Sequence, residues 1–267
     1  MFIFNGRLTR RSVLLALGGA SLLSACGKPA DTLAWHDPDP AVSGLPPLVP
    51  AAPGACPPVH GVTQHAGGPQ YYLPCLGTQI ALTIDDGPDP TNTPRILALL
   101  AKYHVPATFC MIGRAAAAHP DVVKQVVDGG HQVANHTYTH PMNLAKLTDV
   151  QVRAEVGRAT DAIATASGGH RPSLFRAPGG AWSPTILAEC RTSGVRPLGW
   201  SVDPRDWSQP GVRHIVTTIL DKTEPGAIIL EHDGGGNRDE TVKALDLVLP
   251  RLLHAVYTFV PVAPKKS

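Results

Sequence analysis

From residue 76 onwards, short apolar segments alternate with longer amphipathic ones, and this alternation limits the fold more than any other feature. The segments that predict strands are 80–85, 107–112, 132–135, 174–177, 197–202, 227–231 and 257–260. Those that predict helices are 93–103, 121–128, 149–166, 184–192, 212–222 and 240–256. Such alternation indicates a parallel sheet covered by helices, and seven strands suit a (β/α) barrel or a doubly wound sheet.

Five polar motifs follow the predicted strands at their carboxyl ends, where both architectures place their chemistry. They are T-I-D-D-G-P (83–88), H-T-Y-T-H (136–140), R-A-P-G-G (176–180), D-P-R-D-W (203–207) and L-E-H (230–232). No glycine-rich dinucleotide fingerprint or P-loop accompanies the first strand, so nucleotide binding has no support. A net charge of +2 without a basic run argues against nucleic acid as a partner.

The first strand ends in two adjacent carboxylates, Asp85 and Asp86, followed by Gly87 and Pro88, which cannot continue a strand. Side chains alternate faces on a regular strand, so the two carboxylates share a site only where the regularity breaks. Carboxylates held together repel each other unless a metal ion or an arginine lies nearby. Taken alone, Asp-Asp-Gly-Pro also suits an ordinary turn.

A pair of histidines, His136 and His140, follows the third predicted strand. Pro141 disfavours helix at His140, and the intervening Thr-Tyr-Thr favours extended chain. At the end of a parallel strand, two histidines and one carboxylate make a zinc-type ligand set with an open fourth position. In a chain with 12 histidines, the same spacing also arises by coincidence.

In this order the five motifs resemble those of the polysaccharide deacetylases, the NodB-homology group of carbohydrate esterases (family 4), over roughly residues 80–260. The resemblance implies an α/β fold, an irregular (β/α) barrel of seven or eight strands. It implies a hydrolase that removes acetyl groups from N-acetylated glycan, of the peptidoglycan or chitin type. It also implies a divalent metal, usually zinc, bound by Asp86, His136 and His140.

The resemblance assigns the remaining motif residues to catalysis and substrate binding. Asp85 is expected as the general base, oriented and kept charged by Arg176. His232 is expected as the general acid, held and tuned by Asp206. The residues expected to contact substrate are Trp207 and Leu230, which would line the acetyl pocket, and Gly179, whose backbone N–H would face the oxyanion.

The reaction requires this set of groups. A metal supplies a nucleophile at neutral pH by lowering the pKa of a bound water, and a base takes the proton as that water attacks the acetyl carbonyl. The oxyanion needs the metal and an N–H, and the amine must be protonated to leave. The chain departs from the family at Gly179, where an aromatic residue is usual. Either Trp182 fills the missing wall or the cleft is wider.

Two other functions remain open. An O-acetyl esterase acting on xylan-type polysaccharide would use the same chemistry, because the activated water attacks esters as well. A non-catalytic sugar-binding lipoprotein could keep the barrel without the reaction. The presence of both Asp85 and His232 counts against that second alternative.

The first 25 residues predict an export signal. Arg10 and Arg11 resemble a twin-arginine motif, and an apolar run too short to span a bilayer follows them. Leu23-Ser24-Ala25-Cys26 resembles a lipobox, in which Cys26 is acylated; an ordinary cleaved signal is the alternative. We expect an extracytoplasmic lipoprotein anchored to the bacterial cell membrane, or otherwise a secreted protein.

Residues 26–75 are rich in proline and predict a linker, followed by one catalytic domain (76–262) and a tail (263–267). Cys56 and Cys75 flank the end of the linker, and in an oxidising compartment they are candidates for a disulfide. Cys110 and Cys190 lie in apolar contexts and are expected as small buried residues.

Overall fold

The computed structural model describes residues 67–74 and 77–262. The predicted export signal, Cys26, the linker up to residue 66, the tail, and both Cys56 and Cys75 lie outside these residues. The predictions for those segments therefore stay predictions. The described residues include nearly all of the predicted catalytic domain.

Seven strands in the described residues form one sheet: β1 (Gln79–Asp85), β2 (Ala107–Met111), β3 (Gln132–Asn135), β4 (Leu174–Phe175), β5 (Arg196–Pro197), β6 (Ile228–His232) and β7 (Thr258–Phe259). Six follow the order β5-β4-β3-β2-β1-β6, β7 pairs with the start of β1, and all pairs are parallel. Beyond β5 the chain returns to β6 through a parallel bridge between Val202 and Ile229. The sheet is a curled half-barrel, so the predicted α/β fold is confirmed.

Helices cover the outer face of this sheet: α1 (Asn92–Tyr103), α2 (Gly113–Ala118), α3 (Pro120–Asp128), α4 (Asp149–Ala166), α5 (Pro184–Ser193), α6 (Val212–Lys222) and α7 (Asp239–His254). Helix α4 begins at a capping box, in which Thr148 and Gln151 satisfy each other's backbone N–H groups. Helix α5 begins with Ser183 as its N-cap and ends before Gly194, whose φ of 68° suits glycine. No described helix is long and apolar enough to cross a membrane.

The two faces of β1 have different neighbours because side chains alternate along a strand. Ile80, Leu82 and Ile84 belong to the large apolar core shared with the helices. Thr83 and Asp85 have the opposite parity and meet Arg176 inside the barrel. The interior layer is built mainly from small or aliphatic side chains, including Ala81 and Ala134 from β1 and β3, which leaves room for a large buried cation.

The predicted fifth strand, 197–202, is wrong beyond its first residue, because the ladder ends at Pro197. Leu198 instead forms an isolated bridge with Gln70, and the Gly199 N–H donates to the Gln70 carbonyl over 2.8 Å. A Cβ on Gly199 would lie 2.5 Å from the ring of Tyr71, so this close packing requires glycine. The Leu198 N–H still donates to the Phe175 carbonyl of β4, whereas Gly199 pairs with the segment that precedes the barrel.

Cys110 and Cys190 are free and buried, as predicted. Cys110 lies in β2 facing the barrel interior, and Cys190 lies in α5 among the apolar side chains beneath it. Burial raises the pKa of both thiols, that of Cys190 to about 12, which makes the reactive thiolate scarce at neutral pH. Both residues therefore act as core side chains.

Candidate active site

The two carboxylates at the end of β1 reach different sides because the strand geometry breaks at Asp86. Asp85 keeps the strand parity and faces the barrel interior, whereas Asp86 has a φ of 75°. A non-glycine residue in this region costs on the order of 1 kcal/mol, and such residues cluster at functional sites. The backbone of Asp86 contacts Gly234 so closely that a Cβ there would lie 2.1 Å from the Asp86 carbonyl oxygen. The glycine therefore lets the loop after β6 support this turn.

Asp86, His136 and His140 form the one cluster in the described residues whose donor atoms suit a metal ion. Their ligand atoms all lie within 4.8 Å of one another. The Nε2 atoms of His136 and His140 lie 3.4 and 3.1 Å from Oδ1 of Asp86. The turn that brings the two histidines together contains positive φ angles at Thr137 and His140, 66° and 59°.

The hydrogen bonding of His136 supports a cation at this cluster. Its Nδ1 lies 2.8 Å from the carbonyl oxygen of Arg176, which only accepts, so Nδ1 carries the proton and donates it. In the neutral ring, Nε2 is then an acceptor that faces another acceptor, the Asp86 carboxylate. Oδ1 of Asp86 is buried and receives no hydrogen bond in the described structure. A cation among the three side chains satisfies all of these atoms, so the residues fit a divalent metal.

The pKa shifts describe the same electrostatic situation. Burial alone would raise the pKa of Asp86, but the adjacent imidazoles of His136 and His140 outweigh it and hold the pKa well below its usual range. Burial would lower the pKa of His136, but the carboxylates of Asp85 and Asp86 outweigh it and raise the pKa. The site therefore carries a strong negative potential that attracts positive charge.

Asp85 forms a buried ion pair with Arg176. Nη1 of Arg176 lies 2.7 Å from Oδ1 of Asp85 and also donates to the Thr83 hydroxyl, while Nη2 donates to the Gly199 carbonyl. Arg176 is 0% exposed; burial opposes its charge, but Asp85 outweighs burial and raises the pKa of the guanidinium. The ion pair holds Oδ1 of Asp85 in place. The other oxygen, Oδ2, faces the site and lies 3.7 Å from Nε2 of His136.

His232 is held from behind by Asp206. Oδ1 of Asp206 accepts from Nδ1 of His232 over 2.6 Å, and Oδ2 accepts from the His232 backbone N–H and from the Thr241 hydroxyl. This arrangement leaves Nε2 as the nitrogen available to a substrate. Burial would lower the pKa of His232, but Asp206 outweighs it and raises the pKa. A histidine in this state holds its proton to a higher pH and can deliver it.

One cavity of about 380 Å³ brings these groups together. Its lining comprises Asp85, Asp86, His136, His140, Met142, Gly179, Trp200, Asp203, Trp207, Leu230, His232, Gly235 and Arg238. The structure thus places eight of the ten residues expected at the site in the wall of one cavity. Arg176 and Asp206 lie behind the wall, in contact with Asp85 and His232.

The wall beside Gly179 is formed by Met142, whereas the sequence offered Trp182 or a wider cleft. The φ of Gly179 is 59°, and a Cβ on it would lie 3.0 Å from Cε of Met142. Trp182 packs against Phe175 instead, with ring centroids 5.9 Å apart. Met142 is 65% exposed and Trp207 is 48% exposed, so the cavity mouth presents two large apolar side chains to solvent.

Five lining residues were not predicted from the sequence: Met142, Trp200, Asp203, Gly235 and Arg238. Trp200 lies over the guanidinium of Arg176 at 5.5 Å, and Arg238 donates to the Gly234 carbonyl, which fixes the loop after β6. Asp203 begins the D-P-R-D-W motif after a predicted strand, so its position was available as a signal. No sequence motif indicated Met142 or Arg238 as lining residues, because their positions depend on how separate loops pack against each other.

The fold is a parallel α/β half-barrel, and its cavity combines a metal-type cluster with a further carboxylate and a further histidine. Residues 76–198 match the family model described as polysaccharide deacetylase. A chitooligosaccharide deacetylase from Bradyrhizobium sp. (strain ANU 289) is 42% identical over 193 residues, which cover 68% of this chain and 88% of the relative. The chain belongs to the polysaccharide deacetylase family, and its deacetylase relatives are hydrolases acting on amide bonds.

Solved structures agree with this assignment. A peptidoglycan N-acetylglucosamine deacetylase superposes with a TM-score of 0.69 at 33% identity, covering 72% of this chain and 89% of that one. A pseudoenzyme of carbohydrate esterase family 4 from Bacillus anthracis superposes with a TM-score of 0.68 at 28% identity, covering 73% and 67%. The fold thus occurs both with and without catalysis, and the function of a given chain depends on its site residues.

Proposed function

We propose that this protein removes acetyl groups from N-acetylated glycan, of the chitin or peptidoglycan type, with a divalent cation, most simply Zn²⁺, held by Asp86, His136 and His140. The observation that carries the proposal is the single cavity that contains this cluster together with Asp85 and His232. The named activities of its relatives, on chitooligosaccharide and on peptidoglycan N-acetylglucosamine, support the substrate class.

Asp85 is the proposed general base. A bound divalent cation supplies Lewis acidity, which lowers the pKa of water and polarises a carbonyl oxygen. The Asp85 carboxylate accepts the proton of the attacking water, while Arg176 binds its other oxygen and holds the carboxylate in place. Because Arg176 is itself fixed by Thr83 and Gly199, the base needs little reorganisation during the reaction.

His232 is the proposed general acid. The amide nitrogen leaves only when protonated, and Nε2 of His232 is the nitrogen that faces the cavity. Asp206 stabilises the imidazolium before the proton is given up. The Gly179 backbone N–H, in the cavity wall, is proposed as a donor to the oxyanion, and Trp207 and Leu230 are proposed to contact the acetyl group.

The predicted export signal supports a second proposal, that Cys26 carries a lipid and anchors the protein to the outer surface of the bacterial membrane. The sequence Leu23-Ser24-Ala25-Cys26 directly follows an apolar run. A linker of about 45 residues spans roughly 35 Å when flexible and well over 100 Å when extended as polyproline. Such a tether allows a membrane-anchored enzyme to act on cell-wall polymer.

The function is tested by measuring acetate release from peptidoglycan fragments, chitooligosaccharides and acetylxylan, with and without a chelator. We expect release from an N-acetylated glycan, loss of release on chelation, and recovery on adding Zn²⁺. Preferential release from acetylxylan would favour the O-acetyl esterase, and no release from any substrate would favour a sugar-binding protein. Full activity of metal-free protein would contradict the metal site.

His136→Ala and His140→Ala should each abolish activity and stoichiometric metal, because three protein ligands are already the usual minimum for a catalytic zinc site. His214→Ala, on the exposed surface of α6, is the matched control and should keep both. Metal content is measured on purified protein, so the result does not depend on choosing the right substrate.

A further inference from the structure

Glu231, the central residue of the L-E-H motif, is a buried carboxyl group that the mechanism above does not use. It lies in β6 between Leu230 and His232, whose side chains line the cavity, so strand alternation directs it to the opposite, helix-covered face. It is 0% exposed, and neither of its oxygens receives a hydrogen bond from a donor in the described structure.

The charged groups around Glu231 are mostly acidic. Its carboxyl group is within hydrogen-bonding reach of Asp206, and Asp203 adds a second negative charge nearby. Arg238 is the cation that faces it, but its hydrogen bonds go to backbone carbonyls, among them that of Gly234. From α7, Thr241 gives its hydroxyl hydrogen to Asp206.

An ionised Glu231 would be a buried charge without a donor, beside a second buried carboxylate. A proton on Glu231 removes both problems, because the carboxylic acid then becomes a donor and the Asp206 carboxylate is its acceptor. Burial first, and then the charge of Asp206, raise the pKa of Glu231 well above its usual range. Asp206, unlike Glu231, accepts hydrogen bonds from its neighbours. These hydrogen bonds outweigh the effect of burial and lower the pKa of Asp206.

We propose that Glu231 is a carboxylic acid in the working enzyme and donates a hydrogen bond to Asp206, making it a positioning residue for His232. The chain of contacts runs from Glu231 through Asp206 to Nδ1 of His232. The role of Glu231 in the reaction rests on the proposed function of His232, whereas the protonation state of Glu231 does not. The added donor moderates how strongly Asp206 holds the His232 proton, so that His232 can release it to the leaving group.

The first test is infrared difference spectroscopy of the zinc-loaded protein at neutral pH. Glu231→Gln should remove a carbonyl band of a protonated carboxylic acid. Glu189→Gln is the control, because the oxygens of that buried carboxylate already receive hydrogen bonds from Arg153 and Ser193, so no acid band should be lost. If the wild-type spectrum minus the Glu231→Gln spectrum lacks this band, the proposal is overturned. This result does not depend on the substrate or on the role of His232.

The second test follows the titration of the His232 ring by NMR in two variants. Glu231→Gln keeps a neutral donor, so the midpoint should stay in place; if Glu231 were ionised, removing its charge would lower the midpoint. Glu231→Met removes the donor, so Asp206 should hold the proton more tightly and the midpoint should rise. An unmoved midpoint in a folded Glu231→Met protein would contradict the positioning role. If that variant does not fold, Glu231→Gln still tests the protonation state, because a lowered midpoint would show that Glu231 is ionised.

Kinetics on an N-acetylated glycan then connect the contact to catalysis. Glu231→Met should lower kcat roughly 10- to 100-fold with little change in KM, as expected for one lost hydrogen bond to a charged group, and Glu231→Gln should restore most of it. A shift in the NMR midpoint without any change in kcat would show that Glu231 acts on His232 but that the acid role of His232 is wrong.

Discussion

Asp85 and Asp86 are neighbours in the chain and yet have separate tasks, because one keeps the strand conformation and the other does not. Asp85 continues the inward face of β1 and meets Arg176. Asp86, with a φ of 75°, turns to the two histidines. The same carboxylate group thus pairs with an arginine in Asp85 and is available to a metal cation in Asp86. The difference comes from the backbone conformation of the two residues.

The proposed base and acid can be separated by the leaving group of the substrate. Asp85→Asn and His232→Ala should each lower turnover of an N-acetylated glycan by about 10²–10⁴, the usual range for general acid or base help. An aryl acetate leaves without protonation, so His232→Ala should be much less impaired on it. Asp85→Asn should be impaired on both substrates, since both require deprotonation of water.

Metal content and circular dichroism accompany these assays, so that a loss of fold or metal is not taken for a loss of chemistry. Asp85→Asn should retain metal but unfold at a lower temperature, because Arg176 loses its counter-charge. Equal impairment of His232→Ala on the amide and on the aryl ester would show that the acid role is wrong.

At the scale of elements, the side chain of Asn135 connects the end of β3 to α4. Its amide donates to the Val156 carbonyl and the Thr160 hydroxyl, and its oxygen accepts from the Thr137 backbone N–H, each over 2.8 Å. These bonds fix the start of the turn that carries His136 and His140. The position of the proposed metal ligands therefore depends on a residue that is not part of the cavity lining.

Asn135→Ala should lower the free energy of unfolding by about 1–3 kcal/mol, because it leaves a buried backbone N–H without its acceptor. It should also weaken Zn²⁺ binding, since the turn after β3 loses its anchor. Thr160→Val removes one of the three bonds and is the control, expected to cost less and to leave metal affinity unchanged. Urea denaturation and metal titration measure the two effects, and unchanged metal affinity in Asn135→Ala would contradict the coupling.

The success of the sequence predictions differs among elements for physical reasons. Helices α4 and α6 and strand β3 have the predicted bounds, because their hydrophobic patterns are local and α4 also has a local capping box. Helix α2 was missed, since six residues containing four alanines show no amphipathic period. Strand β5 was predicted too long, because its end depends on Tyr71, which is distant in sequence.

The same distinction applies to the candidate site. Strand-end motifs marked the residues that the structure gathers around one cavity, because parallel strands bring their carboxyl ends to one edge. Met142 could not be predicted as the partner of Gly179, since 37 residues separate them and only tertiary packing joins them. Glu231 lies within the L-E-H motif, but its lack of a donor is visible only in three dimensions.

For the whole molecule, acid sensitivity should depend in part on His131, at the start of β3. Its Nδ1 accepts from the Ala107 backbone N–H, and burial lowers its pKa to about 4. The unfolded chain, with an ordinary histidine pKa near 6.5, binds more protons between these values. Folding stability should therefore be fully present above about pH 6.5 and fall as the pH drops toward 4, by at most about 1.4 kcal/mol per pH unit.

His131→Gln should flatten this part of the stability curve, measured by urea denaturation between pH 7 and pH 4. His214→Gln, on the surface of α6, is the matched histidine control and should leave the slope as it is in the wild type. If the slope between pH 6.5 and pH 4 were unchanged in His131→Gln, other groups would account for the acid sensitivity.

Cellular location is a property of the full chain, and Cys26 is proposed to determine it. Cys26→Ser should move the protein from the membrane fraction to the soluble extracytoplasmic fraction without changing acetate release in solution, because the linker separates the anchor from the barrel. Fractionation and labelling with palmitate measure the two outcomes. Failure of the wild-type protein to incorporate label would mean that the signal is an ordinary cleaved one.

The guanidinium of Arg176, sealed beneath the reacting groups, also limits how a descendant of this protein could evolve. In a lineage released from selection for catalysis, exposed site residues can drift, whereas Asp85 cannot be lost alone without leaving an uncompensated buried cation. That loss costs about 3–5 kcal/mol, a large part of the stability of a typical domain. An inactive descendant should therefore either keep Asp85 or lose it together with Arg176. In such a lineage, the survival of the aspartate records selection for folding and is no evidence of catalysis.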